Sequence, residues 1–77
     1  MMIARLPLCT AHDVDRLLTR QGFIVTHQKG SHRYYKSPIT GIIVTSVPVH
    51  PGDLKRSLLK KSLKQVGWSE DEFRKLL

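Results

Sequence analysis

The stretch GFIVTHQKGSHRYYKSPITGIIVTSV, residues 22–47, decides the fold class. After Gly22, residues 23–29 change to β-branched and alternating side chains, the pattern of a strand. Gly30-Ser31 reads as a turn, and residues 32–37 (His-Arg-Tyr-Tyr-Lys-Ser) as a second strand. Residues 38–41 start on proline and finish on glycine, as a loop does. Residues 42–47 form the third strand and are the most β-prone segment of the chain. Connections this short allow only antiparallel neighbours, because a parallel pair needs a crossover of about a dozen residues. The expectation is a three-stranded meander with Tyr34 and Tyr35 on opposite faces of its middle strand, one in the core and one exposed.

Helical spacing brackets the strands. Thr10 can N-cap a helix with Asp13 at N3, a weaker form of the capping box. Val14, Leu17, Leu18 and Gln21 then follow helical spacing, and Gly22 stands where a helix ends. Past residues 48–52 (Pro-Val-His-Pro-Gly) the helical period returns over residues 53–66. Leu58, Leu59, Leu63 and Val66 share one face there, while Arg56, Lys60 and Lys64 recur on the opposite side. Gly67 ends that helix. Ser69 caps a last short one with Glu72 at N3, and Trp68 and Phe73 occupy the positions of a hydrophobic staple. Phe73, Leu76 and Leu77 are its expected apolar contacts. Helix, three strands, helix and a short terminal helix make an α+β domain, with both main helices on one face of the sheet.

A chain of 77 residues makes one domain, residues 1–77, and a domain of this size buries only about 60% of its unfolded surface. The lone Cys9 has no disulfide partner, which argues for a reducing compartment, the cytoplasm. The run from Met1 to Cys9 is too short, and too broken by Arg5 and Pro7, for a signal peptide or a membrane span. Thirteen Lys and Arg against six Asp and Glu give a net charge of +7. That excess favours a nucleic-acid partner, yet charge alone leaves RNA, DNA, acidic lipid and an acidic protein open.

Four histidines, at positions 12, 27, 32 and 50, are the main reactive groups. No pair has metal-ligand spacing and one cysteine cannot build a zinc cluster, so neither a metal nor another cofactor is expected. His32 directly follows the Gly-Ser turn between Lys29 and Arg33. An imidazole there can move a proton while neighbouring cations hold a phosphate, and RNA carries its own nucleophile in the 2′-hydroxyl. A plain surface histidine at a hairpin fits the same residues. His50, before Pro51-Gly52, can serve as a second acid or base or simply fix the helix entry. His27 can face core or groove. His12 lies in the first turn of a helix, where positive charge is unfavourable, and is assigned no role. The Arg56, Lys60, Lys64 stripe, with Lys61 beside it, is either a solvated face or a rail for phosphates. The exposed member of the tyrosine pair can stack on a base.

The order of Gly22-Phe23, Gly30-Ser31-His32 with Tyr35, Val47-Pro48-Val49-His50, Leu63-Lys64-Gln65 with Gly67, and Ser69-x-x-x-Phe73 resembles the HicA toxins over residues 10–77. The resemblance implies a double-stranded-RNA-binding-domain-like fold, ribonuclease action on mRNA, and a HicB-type antitoxin that binds and blocks the toxin. It also implies that His32, the histidine of the Gly-Ser-His motif, is the catalytic one. Lys29, Ser31, Arg33, Arg56, Lys60 and Lys64 are the residues expected to meet RNA. Two departures stand out. Ser57-Leu58 replaces the Gly-Thr that usually precedes a leucine in the long helix, and the segment from His50 to Leu54 looks one residue short. Both should let that helix begin earlier.

Three functions compete: an endoribonuclease toxin, a non-catalytic RNA-binding module of the same fold, and an interaction protein for an acidic partner. Cleavage of single-stranded RNA separates the first from the rest, and RNA affinity without cleavage separates the second from the third.

Overall fold

The computed structural model describes residues 6–77, so the first five residues of the N-terminal run weighed above lie outside it. The described residues form α1 (Ala11–Arg20), β1 (Ile24–Lys29), β2 (His32–Lys36), β3 (Ile43–Pro48), α2 (Arg56–Val66) and α3 (Glu70–Leu76). The three strands pair antiparallel in the order β1-β2-β3. This is the α+β arrangement that the alternation of residues 22–47 and the flanking helical periods predict. No helix among the described residues is long and apolar enough to cross a membrane.

Local chemistry sets the helix ends. The Thr10 hydroxyl accepts from the Asp13 N–H at 3.1 Å, and the Asp13 carboxylate accepts from the Thr10 N–H at 3.0 Å. The Thr10 backbone N–H first, and then the Thr10 hydroxyl, hold the Asp13 carboxyl below its usual range. Ser69 and Glu72 repeat the reciprocal cap at α3, and each such cap stabilises its helix by about 1 kcal/mol. Gly67 closes α2 with φ +85°, a left-handed conformation that only glycine adopts without cost.

Cross-strand partners share a face, so Val25, Arg33, Tyr35, Thr45 and Val47 point one way. Both main helices pack on that side. Val14, Leu17 and Leu18 of α1 and Leu59 and Leu63 of α2 join Tyr35, Val47, Leu54 and Phe73 in the core. Fully burying each large apolar side chain contributes about 1.5–3 kcal/mol. Tyr35 is therefore the core member of the tyrosine pair. Phe23 precedes β1 rather than opening it, and its ring packs edge-on against Trp68 at 5.7 Å. Cys9 is buried, and that burial, then the charges of Asp13 and Asp53, push its thiol pKa up.

Other expectations fail as well. The long helix begins at Arg56, later than the expected residue 53. The reason is tertiary: the Leu54 N–H donates to the Cys9 carbonyl at 2.7 Å, and Asp53 bridges Thr10, so the segment before α2 is held extended against the N-terminal one. Leu58 is exposed on the flank of α2, while Leu59 and Leu63 fill the core. Leu77 follows the end of α3 and is also exposed.

Candidate active site

Gly30 and Ser31 join β1 to β2 as a two-residue hairpin, with Lys29 and His32 as its closing pair. Gly30 has φ +59°, as the first central residue of a type II′ turn requires. The Val49 N–H donates to the Ser31 carbonyl, tying the turn to the chain leaving β3. His32 consequently sits on the middle strand of the sheet, paired on one side with Lys29 and on the other with Pro48. Its side chain is exposed.

The face opposite the core carries His32, Lys29, Tyr34 and His27, along with Ser46 and Pro48. At the β3 edge, α2 stands beside this face. Together they enclose a cleft of about 110 Å³ lined by His32, Ser46, Pro48, Leu58, Lys61, Ser62 and Gln65. The four α2 residues are spaced i, i+3, i+4 and i+7, one flank of the helix. From the core side, the buried Thr45 hydroxyl donates to the Gln65 Oε1 at 2.8 Å. That bond occupies the amide oxygen and leaves the nitrogen as the donor of this cleft-lining residue. The cleft thus gathers an imidazole, an ammonium, two hydroxyls and an amide: proton transfer and anion binding in one place.

Other expected site residues lie elsewhere. Arg33 points to the core side, where its guanidinium bonds Asp15 at 3.2 Å and Gln28 at 3.3 Å. The Tyr35 hydroxyl donates to the same Asp15 oxygen, so α1 and β2 are latched together one residue from His32. Burial first, and then this bond, push the Tyr35 phenol pKa up. Arg56 donates from Nε to the Leu6 carbonyl at 2.8 Å. At about 100° per residue, Lys60 and Lys64 lie roughly 130° around α2 from the cleft flank. Both are exposed, as is Ser31 in the turn. The His50 Nδ1 faces the carbonyl of Pro51 at 3.1 Å, and His50 does not line the cleft. Among the described residues no group of three or more His, Cys, Asp and Glu gathers as metal ligands would.

The family model described as HicA toxin of bacterial toxin-antitoxin matches residues 11–68, from α1 through the cleft to Trp68. The chain belongs to the HicA toxin family. No curated protein matches it. As a HicA toxin it is the toxin of a toxin-antitoxin system, and an antitoxin is its partner. The matched segment contains every cleft-lining residue of this HicA toxin and leaves out α3.

Sequence reasoning passed over Lys61, Ser62, Gln65 and Ser46. Lys61 was legible only as a neighbour of the basic stripe. Helical spacing does put Leu58, Lys61, Ser62 and Gln65 on a common flank, but nothing local says that this flank adjoins His32.

Proposed function

We propose that this HicA toxin is a metal-independent endoribonuclease that cuts mRNA, with His32 as the proton-transfer group. The observation that carries the reading is the cleft: an imidazole on a rigid middle strand shares one opening with the Lys61 ammonium and the Gln65 amide. RNA supplies the nucleophile. As the 2′-hydroxyl attacks the adjacent phosphorus, His32 takes its proton, the P–O2′ bond forms and the P–O5′ bond breaks. The departing 5′-oxygen takes a proton from water. The products are a 2′,3′-cyclic phosphate and a 5′-hydroxyl. Lys61 in the cleft and Lys29 beside His32 offset the charge that gathers on the phosphoryl oxygens. Ser31, exposed at the turn, can donate a hydrogen bond to the same phosphate. Arg33, Arg56, Lys60 and Lys64 act at longer range, through the positive field that draws RNA in. His50 has a local role at its loop. A HicB-type antitoxin is the assigned partner, and it silences the toxin by covering the cleft. The cytoplasm, where mRNA is found, is the assigned compartment.

The test is cleavage of single-stranded RNA by the wild type and by His32→Ala, with and without EDTA. Loss of the general base should slow cleavage by about 10²–10⁴-fold. EDTA should change nothing, and a 2′-deoxy sugar at the cut site should block the reaction. A folded His32→Ala protein that cuts at the wild-type rate, or a strict need for added magnesium, overturns the mechanism.

A further inference from the structure

We infer that the open face of the sheet is the track for a single strand of RNA, with one unpaired base stacked on the Tyr34 ring next to the His32 cleft. This deepens the nuclease reading and rests on it. The Tyr34 and His27 rings are parallel, 4.5 Å apart and within 9°, on the face away from the helices. His27 covers one side of the phenol. On the other side the cross-strand neighbour is Ser46, too small to cover the ring, and Ser46 itself lines the cleft. A base entering there extends an existing stack rather than building one. Tyr34 lies two residues along β2 from His32 on the same face, about 6–7 Å away, within the span of one nucleotide.

The charges along this face agree. Lys29 flanks His32 at one end, and Lys36 follows Tyr34 at the other. All six acidic residues are elsewhere: Asp13 and Asp15 on α1, Asp53 before α2, and Glu70, Asp71 and Glu72 on α3. The chain has no acidic residue between Asp15 and Asp53, so the whole sheet is free of negative side chains. The rival surface, Lys60 and Lys64 on α2, carries charge but no ring. A duplex keeps its bases stacked on one another, so an aromatic platform open to a single base selects an unpaired strand.

Binding is measured with a fluorescein-labelled single-stranded 2′-fluoro RNA, which lacks the attacking hydroxyl, and with a blunt duplex of the same sequence. Tyr34→Ala and Tyr34→Leu should each weaken single-strand binding by about 5- to 100-fold, and Tyr34→Phe should keep it. Lys36→Gln should shallow the plot of log affinity against log salt by about 0.7. Melting curves show which variants are folded, and Tyr34→Leu and Lys36→Gln carry the test if Tyr34→Ala is not. A folded Tyr34→Leu protein with wild-type affinity overturns the inference, as does an equal loss on the duplex. So does a pair of Tyr34 and Lys36 variants that bind RNA normally but lose the antitoxin, which would make this face a protein interface. Wild-type protein that binds the 2′-fluoro strand yet never cuts ordinary RNA overturns the nuclease reading and leaves the track standing.

Discussion

Replacing Asp15 with alanine should destabilise this protein by more than the loss of an ordinary surface charge. One Asp15 oxygen accepts from the Tyr35 hydroxyl at 2.5 Å and from Arg33 at 3.2 Å. Tyr35 is fully buried, and the two charged side chains are 30% and 25% exposed. A hydrogen bond to a charged acceptor contributes about 1.5–3 kcal/mol, and removing the acceptor leaves the buried phenol without a partner. The half-covered ion pair adds about 0.5–1 kcal/mol. A loss of about 2–4 kcal/mol weighs heavily in a small domain, whose total stability at about 0.05–0.15 kcal/mol per residue is only about 4–12 kcal/mol. At about 4–8 °C per kcal/mol, Tm should fall by roughly 10–25 °C. Tyr35→Phe keeps the ring and should cost about 1–2 kcal/mol. The double variant should be little worse than Asp15→Ala alone, because it has no orphaned hydroxyl, giving a coupling of about 1–2 kcal/mol. Urea and thermal melts of the four proteins measure this cycle. Additive losses, or an Asp15→Ala protein that melts within about 3 °C of wild type, would refute the latch. The latch also has a pH signature. The Tyr35 pKa is raised above its ordinary 10.0 in the folded protein, by burial and then by Asp15. The folded state therefore holds that proton more tightly than the unfolded one. Its contribution is complete below pH 10 and is lost as pH rises through the folded value, and Tyr35→Phe should abolish that alkaline loss.

Lys61→Gln should lower kcat about 10- to 100-fold, with a smaller change in KM, if its ammonium steadies the transition state; an unchanged kcat would remove it from the chemistry. Lys60→Gln with Lys64→Gln should leave kcat intact and shallow the salt dependence of binding by less than about one unit; a larger change would restore that stripe as a phosphate rail. His50→Ala should retain cleavage to within a few-fold, because its ring faces the Pro51 carbonyl outside the cleft. A folded His50→Ala protein slowed by about 10²-fold would instead make it the second proton-transfer group.

The sequence by itself determined the elements and most of their ends. The alternation in residues 22–47, the Gly30-Ser31 turn, and the Thr10/Asp13 and Ser69/Glu72 caps all depend on neighbours three or four residues away at most. Such features are legible because the groups that satisfy one another lie within a single turn of chain. His32 was legible in the same way, as the residue after a tight turn among cations. Only the tertiary structure decided which tyrosine enters the core, and it did so by placing Asp15 of α1 where a buried hydroxyl needs an acceptor. It also withdrew Arg33 and Arg56 from the site, through Asp15 and the Leu6 carbonyl, partners 18 and 50 residues away. Pairing between Cys9-Thr10 and Asp53-Leu54 delayed α2 against its own local preference. The cleft itself depends on how α2 rests on the edge of β3, because that contact brings Lys61 and Gln65 to His32. No periodicity within either element encodes that meeting: each period fixes only which face an element buries, and the packing of those buried faces decides which exposed flanks become neighbours.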